Sequence, residues 1–405
     1  MHAPRKKQST GPALVVVVGL SAMALLGHAA RASAEGSEPT RDDASAALTG
    51  YDKGFFLLSH DGRFLLRSQA AIQARFEIES LDSAGDRDAQ AAFLIPRGRL
   101  LFGGHAFMPA LTWQFQAAFD RGSVALKDLY LDYTVVPGWL RLRGGQWKRP
   151  FSRQFLNSGL RQEFVDRAMT HAFFGAGRDI GFGVHNGNTG HSPYFEYALA
   201  VFNGTGDVPQ LGGDVVVDPS TGRGEITSGK FGNVPGVLHP VVVMRVGYIH
   251  AGIDGYSEAD LEGGPLRFAV GSSGLFNFDA DGDDVSGIQG EVDYALKLHG
   301  FSTTGAVYVS AAQSGPAFGD QAFRGLGFHL QAGYVIAERF QPAARYAFIA
   351  RTGPDDDLQE ITLGFSVYFF GHDVKWQTDG ALSSTGDPKG DRSDYRLRTQ
   401  AQLAF

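Results

Sequence analysis

From residue 63 onward the chain alternates between two kinds of position. One set reads Phe64, Leu66, Ser68, Ala70, Ile72, Ala74, Phe76 and Ile78; the interleaved set reads Arg63, Leu65, Arg67, Gln69, Ala71, Gln73, Arg75 and Glu77. A helix would mix the two sets on one surface, whereas an extended strand separates them onto opposite faces. The same period returns at 111–119, 288–298 and 395–405. Sixteen such runs, from 63–80 to 393–405, are each about long enough for a tilted strand to cross a bilayer.

The joints between runs are of two kinds. Met108-Pro109, Pro137-Gly138, His299-Gly300, Ala337-Glu338 and Gly371-His372 predict tight turns, while 150–178, 204–236, 351–357 and 385–392 are longer and polar. Tight turns on one rim and long loops on the other are the habit of outer-membrane barrels. One joint departs from it: 251–264 is long where a tight turn is expected. Phe64, Trp113, Phe119, Tyr133, Trp139, Phe369, Trp376 and Tyr395 fall near the ends of apolar faces, where interfacial girdles lie. The predicted fold is therefore all-β, a transmembrane antiparallel β-barrel of about sixteen strands. A soluble sandwich also alternates, but its strands are shorter and its outer faces do not combine full charges with an aromatic belt.

Before the first strand, Arg5-Lys6-Lys7, an apolar stretch over 13–26 and Ala32-Ser33-Ala34 form the three parts of a secretory signal. The expected organisation is a cleaved signal peptide over 1–34, a short polar periplasmic segment over 35–53 and a barrel domain over 54–405, placed in the outer membrane. The 405 residues include no Cys, which excludes disulfides, thiolate metal sites and cysteine nucleophiles. Net charge is −7, and −11 once the four leader cations are removed, so nucleic acid is a poor partner.

Arginine outnumbers lysine, and the alternation sends many arginines to the face opposite lipid. Arg67 and Arg75 on strand 1, Arg97 and Arg99 on strand 2, and Arg141 and Arg143 on strand 5 are expected to line water, with Arg345, Arg396 and Arg398 as a second group. Closure of the last strand on the first brings Arg396 and Arg398 beside Arg67 and Arg75. A pore lined by arginines concentrates small inorganic anions such as phosphate and chloride. Against this, Glu77, Glu79, Asp128, Asp132, Glu291, Asp293 and Glu360 share the same faces, and each arginine is as well placed to stiffen the wall as to meet a solute.

At this point the chain resembles a known family, the phosphate-selective porins of the O and P type. Gly62 to Arg67, Pro96 to Leu100, and Leu126-Lys127-Asp128-Leu129-Tyr130-Leu131 are similar to its opening strands. Most specific is Gly145-Gln146-Trp147-Lys148-Arg149-Pro150-Phe151-Ser152, with Trp147 where Phe is usual. Phe164 to Arg167, Gly177 to Gly181, Ala200 to Gly204 and Gln400 to Phe405 agree as well. The resemblance implies a homotrimeric porin in outer-membrane lipid, with an inward-folded constriction loop after strand 5. That loop, about 151–177, carries Arg153, Arg161 and Arg167, followed by Arg178, among Phe155, Phe164, Phe173 and Phe174; Lys148 and Arg149 precede it as expected pore-lining anion contacts, and Lys148, Arg149, Arg153 and Arg167 are the foremost candidates to meet a solute at the constriction. Separately, Phe405, an aromatic ending an alternating strand, resembles the recognition signal read by the barrel-assembly machinery.

Other chemistry finds little footing. The run from Asp279 to Asp284 is faintly like a calcium loop, but Asp284 stands where the turn glycine belongs. The histidines lack ligand spacing, and neither a nucleophile elbow nor a phosphate-cradling glycine motif is present. No catalytic residue, metal or cofactor is expected. The alternatives to a conducting porin are a non-selective or non-conducting structural or adhesive barrel and, further off, an outer-membrane hydrolase.

Overall fold

A computed structural model describes residues 48–405 except 84–85, 188–193, parts of 207–239, 279–286, 312–323, 352–356 and 387–391. The expected signal peptide, most of the segment before the barrel and the calcium-like run lie outside the described residues.

Sixteen antiparallel strands close into a barrel. They are β1 (Leu65–Ser83), β2 (Asp86–Ala106), β3 (Met108–Ala118), β4 (Ala125–Val136), β5 (Leu140–Lys148), β6 (Arg178–His185), β7 (Phe195–Phe202) and β8 (Val241–His250). The second half holds β9 (Arg267–Asn277), β10 (Gly287–Leu298), β11 (Phe301–Ala311), β12 (Arg324–Tyr334), β13 (Phe340–Arg351), β14 (Leu358–Phe370), β15 (Val374–Thr385) and β16 (Arg392–Ala404). Each pairs with its sequence neighbours, and β16 returns to β1 in the register Arg396↔Glu79, Arg398↔Glu77 and Gln400↔Arg75. Closure leaves no sheet edge facing lipid, which a bilayer cannot solvate.

At the seam a short hairpin, Leu48–Tyr51 with Phe55–Leu58, adds to the start of β1. It continues the sheet just beyond Phe405, whose backbone exchanges hydrogen bonds with Ala70 at 2.7 and 2.9 Å. The Phe55 and Phe405 rings meet edge to face at 6.4 Å.

The period-2 pattern sorts as expected. Outward positions such as Leu131, Val292 and Leu363 are exposed apolar side chains, while Gln73, Gln377 and Arg398 face in. Phe64, Phe107, Trp139, Phe369, Phe370 and Phe405 mark the tight-turn rim, all exposed. Turns of one to five residues join β2–β3, β4–β5, β10–β11, β12–β13 and β14–β15 on that rim. On the same rim β6–β7 takes nine residues, 186–194, and the β8–β9 connection, 251–266, is the longest.

Within the most specific sequence run, Gly145 has φ +129°, and a Cβ there would lie 2.3 Å from the Leu129 carbonyl oxygen. Only glycine lets β5 approach β4 this closely. Gly145→Val is expected to cost on the order of 2 kcal/mol or more, read as a lower urea midpoint for the refolded barrel and a smaller heat-modifiable fraction on gels.

Candidate functional site: the barrel lumen

The segment between β5 and β6, 149–177, lies inside the barrel. It contains two short helices, α1 (Arg153–Leu156) and α2 (Thr170–Phe174). An irregular backbone at membrane depth needs its polar groups satisfied by protein or water, and wall side chains supply most of the partners. Gln377 donates to the carbonyls of Gln162, Glu163 and Phe164, and Lys375 to that of Gln162. Ser366 donates to the Glu163 carbonyl, Gln402 to that of Leu160, Arg75 to that of Val165 and Arg345 to that of Asp166. These donors stand on β13, β14, β15, β16 and β1, so the segment crosses the lumen.

Apolar packing fixes the same segment. Phe151 and Phe174 are buried with Trp147, Phe202, Val241, Val243, Leu275, Tyr308 and Ile349, a dry core against β5, β7–β9, β11 and β13. Phe164 lies so close to Gly364 that a Cβ there would be 2.8 Å from its ring. Sequence reasoning expects Phe155, Phe164, Phe173 and Phe174 in this loop; Phe155, Phe164 and Phe174 are buried and Phe173 half-buried.

The basic residues divide by what they touch. Lys148 donates to the carbonyls of Phe155, Leu156 and Asn157, and Arg167 to those of Gln154 and Asn157. Both thus neutralise the negative end of α1. Arg149 is buried on Asp179 at 2.6 Å. Arg153 is buried on Asp293 at 2.7 Å; Arg245 joins the same carboxylate at 2.7 Å and reaches Glu196 at 3.1 Å. Arg345 lies over the Phe164 ring and against Glu360, and Arg398 forms a two-point pair with Asp379 at 2.7 and 2.8 Å.

A second group faces open lumen. Arg141 and Arg143 share Asp132 at 3.0 and 2.5 Å; the guanidinium-bearing side chains keep 23% and 18% of their surface while Asp132 keeps 1%. Arg143 also covers the Tyr130 ring, and His185 contacts Asp132 at 3.0 Å. Arg178 pairs with Asp128, Arg99 with Asp120, and Arg396 with Glu360 at 2.9 Å. Arg97, part-exposed, meets Asp166 at 2.7 Å; Arg75 reaches the same carboxylate at 3.4 Å and also pairs with Glu77, but is itself buried. Arg67 sits apart near the tight-turn rim on Asp52, and Arg161 is exposed on Asp254. In this loop, burial alone would raise the Asp166 carboxyl, but Arg97, Arg75 and Arg398 together outweigh it and hold it well below the usual range. Burial, then Arg167, holds the His171 imidazole well below its ordinary value, where it stacks on Phe155.

Most of the expected lumen cations are thus placed inside, with carboxylates as partners. Sequence reasoning names Asp128, Asp132, Asp293 and Glu360 among those partners and misses Asp166, Asp179, Glu196, Arg245 and Asp379. No cluster of three or more His, Asp or Glu arranged to hold a metal occurs among the described residues.

Removing the carboxylate that holds both Arg153 and Arg245 should release the start of the inserted segment. Asp293→Asn is expected to cost about 3–5 kcal/mol, the usual penalty for leaving buried charges without their counter-ion. The check is a urea midpoint, with faster trypsin cleavage after Arg153, Arg161 or Arg167.

The family model of phosphate-selective porin O and P matches residues 69–241, from β1 into β8. An uncharacterized protein of Aquifex aeolicus (strain VF5) is 26% identical over 268 residues, 62% of this chain and 61% of that protein. The chain therefore spans less than two thirds of the length of that curated relative. Among solved structures, an anion-selective porin from Comamonas acidovorans superposes with TM-score 0.54 at 12% identity, covering 84% of this chain and 99% of that one. The outer membrane channel DcaP of Acinetobacter baumannii gives TM-score 0.54 at 12% identity over 84% and 97%. OprB of Pseudomonas putida gives 0.52 at 11% over 84% and 94%. At such identities the likeness is one of fold. Over 69–241, its first seven strands and the start of the eighth, the chain is similar to the phosphate-selective porins of the O and P type, and as a whole it shares the outer-membrane porin barrel fold.

Proposed function

We propose that this protein is a water-filled diffusion channel of the outer membrane that prefers small inorganic anions, with the 149–177 segment as its constriction. One observation carries the reading: at Asp132 the guanidiniums of Arg141 and Arg143 lie toward the lumen and the carboxylate beneath them. Summed charge there is small, but the surface a solute meets is cationic, and fields in a confined pore follow the nearest charges. Arg97, Arg99 and Arg396 extend this partly exposed face along β2 and β16. Because each guanidinium already spends part of its donor set on a carboxylate, a passing anion binds through the remainder and leaves readily, as conduction requires. The anion-selective neighbour supports the sign of the preference.

The exported, signal-cleaved form, the homotrimer and recognition of the Phe405 terminus by the assembly machinery belong to the same proposal. So do the anion contacts at Arg67, Arg75, Lys148, Arg149, Arg345 and Arg398, though several of these are buried in wall pairs. One observation favours a non-conducting structural barrel instead: the lumen against β8–β13 is filled by protein.

Planar-bilayer recording across a salt gradient separates these readings. The wild type is expected to conduct, with a reversal potential on the anion side and lower chloride current in the presence of phosphate. Replacing Arg97, Arg99, Arg141 and Arg143 together by Glu should lower the anion-to-cation permeability ratio by about twofold or more, while Gln at the same positions gives a smaller change. An unaltered reversal potential in the folded Glu variant removes the assigned role.

A further inference from the structure

The β8–β9 connection enters the barrel from the tight-turn rim. Ile253 packs with Ile249, Ala269 and Ala295, and Ala259 with Val335 and Tyr368, all buried. The Tyr256 hydroxyl donates to Glu196 at 2.9 Å, and Asp260 accepts from the Gly300 amide at 2.8 Å and Arg267 at 2.5 Å. A surface turn needs no such anchoring.

Its inner part meets the segment inserted from the opposite rim. The Glu258 amide donates to the Arg161 carbonyl at 3.1 Å, and its carboxylate accepts from the Glu163 amide at 2.9 Å. Gln331 on β12 donates to both carboxylates, at 2.9 Å to Glu258 and 3.4 Å to Glu163. Arg161 pairs with Asp254 at 3.0 Å, and Arg153 reaches the Gly255 carbonyl at 3.4 Å.

We propose that 251–266 is a second constriction element, inserted from the rim opposite the 149–177 segment, and that Glu258 is the positioning residue that locks the two together across the lumen. The inference rests on the channel reading above. It explains why this turn is the longest on its rim, and it makes the aperture depend on a contact between two carboxyl groups.

That contact responds to pH. Burial first, then Glu258, pushes the Glu163 carboxyl up to about 7. Ser302 on β11 and Gln341 on β13 donate to it, Lys297 on β10 and Lys375 on β15 offset its charge, and Tyr368 on β14 lies behind Gln341. His372 sits against Lys375, while Arg167 and Arg345 act on Glu258. Below pH 7 Glu163 is neutral and its approach to the Glu258 carboxyl carries no penalty. As pH rises through 7 Glu163 takes on charge in a buried place beside Glu258, the stabilisation from the raised group is lost, and the lock loosens.

Single-channel conductance at pH 5.5 and 8.5 tests this on the full chain, comparing wild type, Glu258→Gln and a variant with 252–264 replaced by a short Gly-Ser linker. Wild-type conductance is expected to rise with pH, the isosteric Glu258→Gln protein to keep the low-pH value at both, and the shortened turn to conduct about twofold more. Glu163→Gln should match Glu258→Gln, so the proposal stands or falls even if the shortened turn does not fold. Conducting wild type and Gln variants with identical, pH-independent conductance overturn it while leaving the channel reading intact. A wild type that never conducts overturns both.

Discussion

Backbone hydrogen bonding without water is the constraint on which this molecule rests. The sheet meets it on the lipid side by returning β16 to β1, and no open arrangement of the same strands would. Inside, the same demand recurs for two irregular segments at membrane depth. Gln377, Lys375, Ser366, Gln402 and Arg345 meet much of it by turning wall side chains into partners for loop carbonyls. The polar inner face of the barrel is thus largely a mould for the inserted chain, and what remains beyond it is the wet path.

This explains why the arginines divide. Those opposite the inserted segments, such as Arg153, Arg245 and Arg398, are buried in networks where loss of one partner strands a charge. Those along β2–β5, such as Arg99, Arg141 and Arg143, keep carboxylate partners but retain exposed surface. The two uses of one residue type differ in what covers them, not in local sequence.

The strands were legible because alternation is a local property: every run from 63–80 to 393–405 corresponds to a barrel strand within a few residues. The closure of β16 on β1, the tight turns and the anomalous 251–264 joint were legible for the same reason; the closing register was not, and it sets Arg396 and Arg398 opposite Glu79 and Glu77 while Arg67 stays at the far rim on Asp52. Ion-pair partners were not, because Arg153 meets Asp293 across 140 residues and Arg75 meets Asp166 across 91. The packed side of the lumen does leave a local mark. The inward positions of β8 are Val241, Val243, Arg245, Gly247 and Ile249, so at both ends of the strand the lumen face is as apolar as the outer one. A strand in a wet barrel has no reason for this, and it marks the side where the lumen is dry.

That dry side gives the barrel two different sources of cohesion. Around Phe151, Phe174, Val243 and Tyr308, exclusion of water holds the wall to its filling, a term that weakens on cooling and adds to the heat capacity of unfolding. Around Asp132 and Asp166, part-exposed charges do the holding, and added salt weakens them. The two sides of one tube therefore answer to different variables: cold loosens the packed side first, and brine the open one.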